Sequence, residues 1–510
     1  MEPIFKHRPM LPIHLDPAAP LQRQIYGQLR DAILHGQLPA RARLPASRQL
    51  AAELGISRNS VLGAYEQLTA EGYLTSRAGA GTFVASVATV ATHATHTAKP
   101  TAQRIEEQPV GAPVVMQPSR YTQRIQAQVS EELFQRKPRT PLKFDFAYGE
   151  PAYADLPMPT WARIVGRTAR QLNQSQLGYA PHAGITALRT AVAGYLARAR
   201  GVHCNPEQVV IVQGTQEAID LSVRLLIDPD DQVVLENPHY RGFRRCLLAA
   251  GANIRTVPVD DMGLCTDALA DITGAKLACI TPSHQFPLGG ILPVQRRLTT
   301  LAWAHQQQTV ILEDDYDGEF RYQHSPVPSL QSLDTRGCVI YVGTSSKIFF
   351  PSLRIGWMVV PEPFLPDLLA IKAMADTWPS TLEQLAFSHF INEGHLERHI
   401  HRVRNRLAAK RAALLDAIKR HLGARANVIG SQAGLHVVVR LANLRSADLP
   451  DLIRRCREHH TGIYSAAPFY LQPDAEATAE IILGYASLTL SEIAEGVQSI
   501  AAALDEMTRC

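Results

Sequence analysis

Val339-Ile340-Tyr341-Val342-Gly343-Thr344-Ser345-Ser346-Lys347, followed by Leu353-Arg354-Ile355-Gly356-Trp357, decides how this chain is read. Four consecutive apolar residues bounded by glycine and hydroxyls have the composition of a fully buried strand. Hydroxyls and backbone amides then offer donors for an anion, a lysine supplies an amine, and seven residues later an arginine returns. An amine beside an anion cup at a strand end is the demand of one cofactor in particular.

Pyridoxal 5'-phosphate (PLP) needs a lysine for its aldehyde, an acid against its ring nitrogen, a donor to its phenolate and a cup for its phosphate. The lysine must lose its proton to form a Schiff base, which desolvation assists. Lys347 supplies the amine. Glu313-Asp314-Asp315-Tyr316 follows the apolar Val310-Ile311-Leu312 at a strand's carboxyl end, where ligand sites form in α/β sheets. Asp314 is the candidate for the ring nitrogen and Tyr316 for the phenolate. Gln213-Gly214-Thr215-Gln216 ends another apolar run and opens a helix whose amides and dipole suit a phosphate. Thr344 and Arg354 complete that cup, and Tyr240 is placed to stack on the ring. Each piece alone is commonplace; four strand ends in this order are not.

Outward from these motifs, apolar runs recur at Val209–Val212, Val233–Leu235, Ile254–Val259, Leu277–Ile280, Val310–Leu312, Val339–Val342 and Ile355–Val360, several separated by helical patterns. This predicts an α/β domain over residues 142–510 with a largely parallel, buried sheet. From about Pro379, long amphipathic helices and then short strands predict a smaller C-terminal lobe.

The first 85 residues differ. Leu21, Ile25, Leu29 and Ile33 are spaced as on a helix, Pro45–Leu54 predicts a second helix and Ser57–Glu71 a third, with Ser57 as its N-cap and Gly55-Ile56 as the tight turn. Thr75–Ala85 predicts a hairpin around Gly79-Ala80-Gly81. This is a winged helix-turn-helix pattern. Ser57, Arg58 and Asn59 crowd the start of the third helix, the part that enters a major groove, where Arg grips guanine and Asn adenine. Arg48 falls near the DNA backbone, and Gly79 lies at a wing tip where backbone can approach phosphate. Residues 1–85 hold nine Lys and Arg against six Asp and Glu, most of the chain's net charge of +4.

Between the two regions, residues 86–141 are rich in Ala, Thr, His, Pro and Gln and are expected to be a flexible linker. His93 and His96 have no further ligands near them in sequence, so no metal is expected. Seven cysteines without CxxC spacing predict reduced thiols, and the lack of a long apolar run or signal-peptide core predicts a cytoplasmic protein without a membrane span.

Pro20-Leu21-Gln22-Arg23-Gln24-Ile25-Tyr26 through Gly79-Ala80-Gly81-Thr82-Phe83-Val84 resembles the winged helix of GntR-type regulators. The resemblance assigns DNA contact to Arg48, Ser57, Arg58, Asn59 and Gly79, with Leu62 where some members carry arginine. Gly178-Tyr179-Ala180-Pro181, Thr281-Pro282-Ser283-His284-Gln285-Phe286-Pro287-Leu288-Gly289 and the lysine segment resemble a fold type I PLP-dependent aminotransferase. Together they resemble the MocR subfamily across nearly the whole chain. That resemblance implies a homodimer in which Tyr179 reaches the partner's cofactor phosphate, and it places His284 and Gln285 facing the cofactor ring. Two departures matter. Phe286 replaces the usual asparagine, leaving Gln285 as the substitute donor to the phenolate. Ile482, two residues before Gly484-Tyr485, replaces the arginine that binds an α-carboxylate.

The expected function is a PLP-dependent regulator that binds a double-stranded DNA operator and senses PLP, an amine or an amino acid through Lys347, with at most a partial reaction. The alternative is a working aminotransferase with a DNA anchor. A PLP protein whose helix-turn-helix makes only protein contacts is disfavoured by Arg58 and Asn59.

Overall fold

The computed structural model describes residues 13–77, 79–86, 117–127, 142–322 and 328–508. The chain forms two compact units, Met1–Met116 and Gln117–Cys510.

In the first unit, helices Leu21–Leu34, Ser47–Leu54 and Arg58–Ala70 precede an antiparallel hairpin of Leu74–Arg77 and Gly81–Val84. Ile25, Leu29, Ile33, Val61, Leu68, Leu74 and Val84 meet in one core. The second helix begins at Ser47, because Pro45 and Ala46 remain outside it and the Pro45 carbonyl accepts the Tyr65 hydroxyl at 3.0 Å. Gly55 ends it in the left-handed conformation (φ 67°), which glycine adopts without a Cβ penalty.

The second unit is built on an eight-stranded sheet in the order Val209–Val212, Gly356–Val359, Val339–Thr344, Val310–Asp315, Leu277–Ile280, Gln232–Asn237, Asn253–Asp260, Gly263–Leu264. The five strands from Val339–Thr344 to Asn253–Asp260 run parallel, and their apolar residues fill cores on both faces. Gly356–Val359 runs antiparallel to both neighbours. The reason is local: a parallel return needs a crossover of about a dozen residues or more, usually a helix, and the short Ser345–Ile355 connection reverses the chain instead. Lys347 and Arg354 lie in that reversal. A four-stranded antiparallel sheet of Ala426–Ile429, His436–Arg445, Thr478–Gly484 and Tyr464–Ser465 forms the smaller lobe.

The expected linker is not featureless. Arg120–Gln126 is helical, capped by Ser119, and packs on the helix Arg241–Ala250, where Arg124 Nε donates to the Ala249 carbonyl at 2.7 Å. His93 and His96 lie outside the described residues. Among the described residues no helix is long and apolar enough to cross a membrane.

Candidate functional site

Strand alternation selects one acid of three. Along Val310–Asp315, successive side chains point to opposite faces. Glu313 accepts the amides of Leu330 and Gln331 at 2.7 and 2.8 Å. Asp315 binds buried Arg200 at 2.6 and 3.0 Å and accepts the Tyr341 hydroxyl at 2.8 Å. Asp314 faces the other way. Its Oδ1 is buried with no hydrogen-bond partner among the described residues. Burial, then the charges of Asp315 and Asp317, push its carboxyl up to about 8, while Lys347 pulls it down. A buried acceptor without a donor is uncommon, and the protonated ring nitrogen of PLP is a donor that answers it.

This gives a prediction with a defined sign. A carboxyl raised from 3.8 to about 8 contributes stability below pH 4 that is lost as pH rises through 8, because the folded state then holds the proton more tightly than the unfolded one. In the cofactor-free protein, Asp314→Asn flattens the fall in melting temperature between pH 6 and 8. PLP at pH 8 stabilises the wild type more than the variant; equal gains would assign the ring nitrogen to another acid.

The lysine sits at the end of a four-residue helix, Ser345–Ile348. Thr344 caps it by accepting the Ser346 amide at 3.1 Å, and Ser345 Oγ donates to the Ile355 carbonyl at 2.6 Å, closing the reversal. Lys347 Nζ donates to the Gly149 carbonyl at 2.6 Å. Burial pushes its ammonium below the ordinary lysine range, against the charges of Glu150, Asp317 and Asp314.

Gly214 (φ 92°) precedes the helix Thr215–Leu226, and a Cβ there would stand 3.2 Å from the Arg354 guanidinium. Arg354, itself left-handed, donates to the Gln213 carbonyl. The first-turn amides of Thr215 and Gln216 have no helical acceptor, so with Arg354 they form a cup suited to a phosphate. The Gln216 side chain turns to Cys246 Sγ at 3.0 Å, leaving its backbone as the contributor. The Tyr240 ring meets Phe286 edge-on at 6.0 Å, and burial and Asp314 push its phenol up to about 12.

Three expectations need correction. Gln285 does not face the ring: its amide donates to the carbonyls of Pro238 and Phe286, both at 2.8 Å, and its oxygen accepts the Leu288 amide. Tyr316 is present, but its hydroxyl lies 2.8 Å from His284 Nδ1, which is also 3.0 Å from Asp317. Tyr179 is not in the site of its own chain; it is 88% exposed and packs edge-on against Trp378.

Other groups escaped the sequence reading. The Gly149 carbonyl is one. Asp317 and His284 are another, with His284 Nε2 buried and unpartnered among the described residues. The signal for this pair was Gly434, where a Cβ would come within 2.1 Å of the imidazole. Ile482 is fully buried among Phe286, Phe469, Ile429 and Val438, with Tyr148 against them, so the wall there is apolar. His305, Asp334 and Cys338 also cluster. The Asp334 carboxylate is already held by four backbone amides, which accounts for its place without a cation.

On the first unit, Arg48, Arg58, Asn59 and Gly79 are exposed. Ser57 is committed to the fold: its hydroxyl accepts the Ser60 amide at 3.3 Å and caps the third helix. Arg58 and Asn59 open that helix.

These geometries describe a winged helix-turn-helix joined to a fold type I aminotransferase-like domain. Residues 21–84 match the bacterial regulatory proteins of the gntR family, and residues 141–500 match aminotransferase class I and II. The chain is 36% identical to the probable rhizopine catabolism regulatory protein MocR of Rhizobium meliloti, over 97% of this chain and 96% of that protein. It is 33% identical to the uncharacterized HTH-type transcriptional regulator YdeL of Bacillus subtilis, over 95% and 96%. Among solved structures, LysN, an α-aminoadipate aminotransferase from Thermus thermophilus complexed with N-(5'-phosphopyridoxyl)-L-leucine, superimposes with a TM-score of 0.69 at 29% identity, covering 77% of this chain and 98% of that one. The chain belongs to the MocR subfamily of GntR-type transcriptional regulators.

Proposed function

We propose that this regulator binds PLP in its large unit and reports the cofactor, or an amine that reacts with it, to a DNA operator. The observation that carries the reading is the unpartnered, buried Asp314 oxygen on the strand beside Lys347. Asp314 would hold the ring nitrogen, Lys347 the aldehyde carbon, and Gly214, Thr215, Gln216, Thr344 and Arg354 the phosphate. Bound PLP supplies a carbonyl that primary amines attack. The protein's part is to keep Lys347 readily deprotonated, to lodge the ring against Tyr240 and to wall off water with Phe286 and Phe469. LysN and its phosphopyridoxyl ligand support this reading from a relative of the same fold. Exposed Tyr179 fits a homodimer in which it completes the partner's cup, and two chains match two DNA half-sites. Sensing requires that the ligand bind one arrangement of the chain better than another.

A full aminotransferase remains the second reading, because the lysine site is intact. Ile482 opposes it, since an α-carboxylate would meet an apolar wall. The deciding experiment titrates purified protein with PLP, then compares a single turnover with steady-state production of amino acid from a 2-oxo acid. A spectral response that stops after one event supports the sensor; sustained turnover makes the chain a transaminase.

The DNA surface has its own test. Arg58→Ala weakens binding to the operator by about 1–3 kcal/mol and relaxes preference at the base it reads. Gel-shift titrations against base-substituted operators measure both. Unchanged affinity with unchanged preference would remove Arg58 from the interface.

A further inference from the structure

The helix Arg241–Ala250 begins directly after Tyr240, the ring placed beside Asp314. Its residues Arg241, Arg244 and Arg245 share one face, at the i, i+3 and i+4 spacing. With Pro468 and Ala127 they line a cavity of about 240 Å³. Three guanidinium groups in one cavity repel each other unless an anion joins them. Among the described residues no carboxylate answers Arg245: the groups acting on it are its own burial, Arg241, Tyr240, Cys246 and Tyr148, and together they push its pKa down. His239, immediately before the helix, is fully buried with both ring nitrogens unpartnered among the described residues. Burial, then Arg244 and Arg241, push it down to about 4, so positive charge is uncompensated there too.

The cavity's other wall ties it to the cofactor site. Pro468 precedes Phe469, whose ring packs 5.0 Å from Phe286 and 5.7 Å from Tyr148. That aromatic wall contains Ile482. A ligand with its amine at Lys347 therefore meets apolar surface where a neighbouring carboxylate would sit, and cations beyond the wall. We propose that the cavity binds the acidic tail of the effector, a compound carrying a primary amine at one end and a carboxylate or other oxyanion several bonds away. This rests on the PLP reading above. Arg suits the role because its planar fork engages a carboxylate through two parallel hydrogen bonds.

The test uses the full-length protein loaded with PLP. Visible absorbance follows titration with 4-aminobutanoate, 5-aminopentanoate and 6-aminohexanoate, with 2-aminopentanoate, and with the matching n-alkylamines. At least one ω-amino acid is expected to bind ~10-fold or more tighter than its alkylamine and than 2-aminopentanoate. The combined variant Arg241→Gln, Arg244→Gln, Arg245→Gln loses that preference while retaining PLP uptake and, within about 2-fold, alkylamine affinity. Arg245→Gln alone, with folding checked by circular dichroism, guards against collapse of the triple variant and shows a smaller loss in the same direction. Glutarate binding to the cofactor-free protein, by calorimetry, separates the two claims. Saturable binding that the variants abolish, in a protein that takes up no PLP, keeps the anion cavity and refutes the cofactor reading. PLP uptake with no preference for acid-bearing amines, or a preference that survives the triple variant, overturns the inference.

Discussion

Lys347→Ala abolishes covalent attachment of PLP. Borohydride reduction of the loaded wild type, followed by intact-mass measurement, gives a phosphopyridoxyl adduct on Lys347; the variant gives none. Other buried or partly buried lysines are already engaged. Lys372 is buried but committed to Glu217 and Asp376 at 2.8 Å, in a charge pair it leaves only at the cost of two unpaired acids. Lys410 donates to the Ala486 carbonyl at 2.7 Å, and Lys143 pairs with Glu495. Lys347 is lowered by burial and held next to Asp314 by a single carbonyl, Gly149, that it can release. An adduct that persists in the variant would reject the assignment of the site's central residue.

Arg200→Leu destabilises the large unit by about 3–5 kcal/mol, the range for removing one partner of a buried ion pair. Arg200 and Asp315 are each 1% exposed at the side chain and joined at 2.6 Å; Arg200 also donates to the Gly318 carbonyl and to Ser283 Oγ at 3.0 and 2.9 Å. Without it, Asp315 is left beside the Tyr341 hydroxyl and Glu319, whose carboxyl burial and Asp315 already push up to about 7. Denaturant unfolding measures the loss. The double variant Arg200→Leu, Asp315→Leu recovers much of it, because no orphan charge remains. A loss under ~1 kcal/mol would mean that water reaches the pair. The consequence extends to the cofactor site, since Asp315 on one face of its strand fixes Asp314 on the other.

Lys347, Asp314, Gly214 and Arg354 were legible because each stands at or just after the end of an apolar run, and a parallel sheet gathers such ends on one edge. The run itself carries the information, so no long-range contact had to be guessed. What stayed hidden depends on partners far away in sequence. Lys347 meets Gly149 across 198 positions, and Tyr485 meets Gly434 across 51. Gln285 looked like a ring contact because it neighbours His284, yet the carbonyls of Pro238 and Phe286 claim both its donors. The direction of Gly356–Val359 was equally invisible: an apolar strand reads alike in either sense, and only the shortness of the connection before it decides. In the first unit the reading of Ser57 was half right, since a hydroxyl that caps a helix satisfies an amide and cannot serve a base with the same lone pair. The helix Arg120–Gln126 was lost in the composition of its surroundings, because its stability comes from packing on another helix rather than from its own residues.

That last helix sets the mechanics of signalling. Through the bond from Arg124 to the Ala249 carbonyl it is fastened to the same rod, Arg241–Ala250, whose opposite end carries Tyr240 and the three arginines. The chain continues from Gln117 toward the winged helix, so its mooring point rides on the ligand's own wall. A tilt of that rod by a fraction of a turn displaces the mooring directly, with no relay of side chains in between.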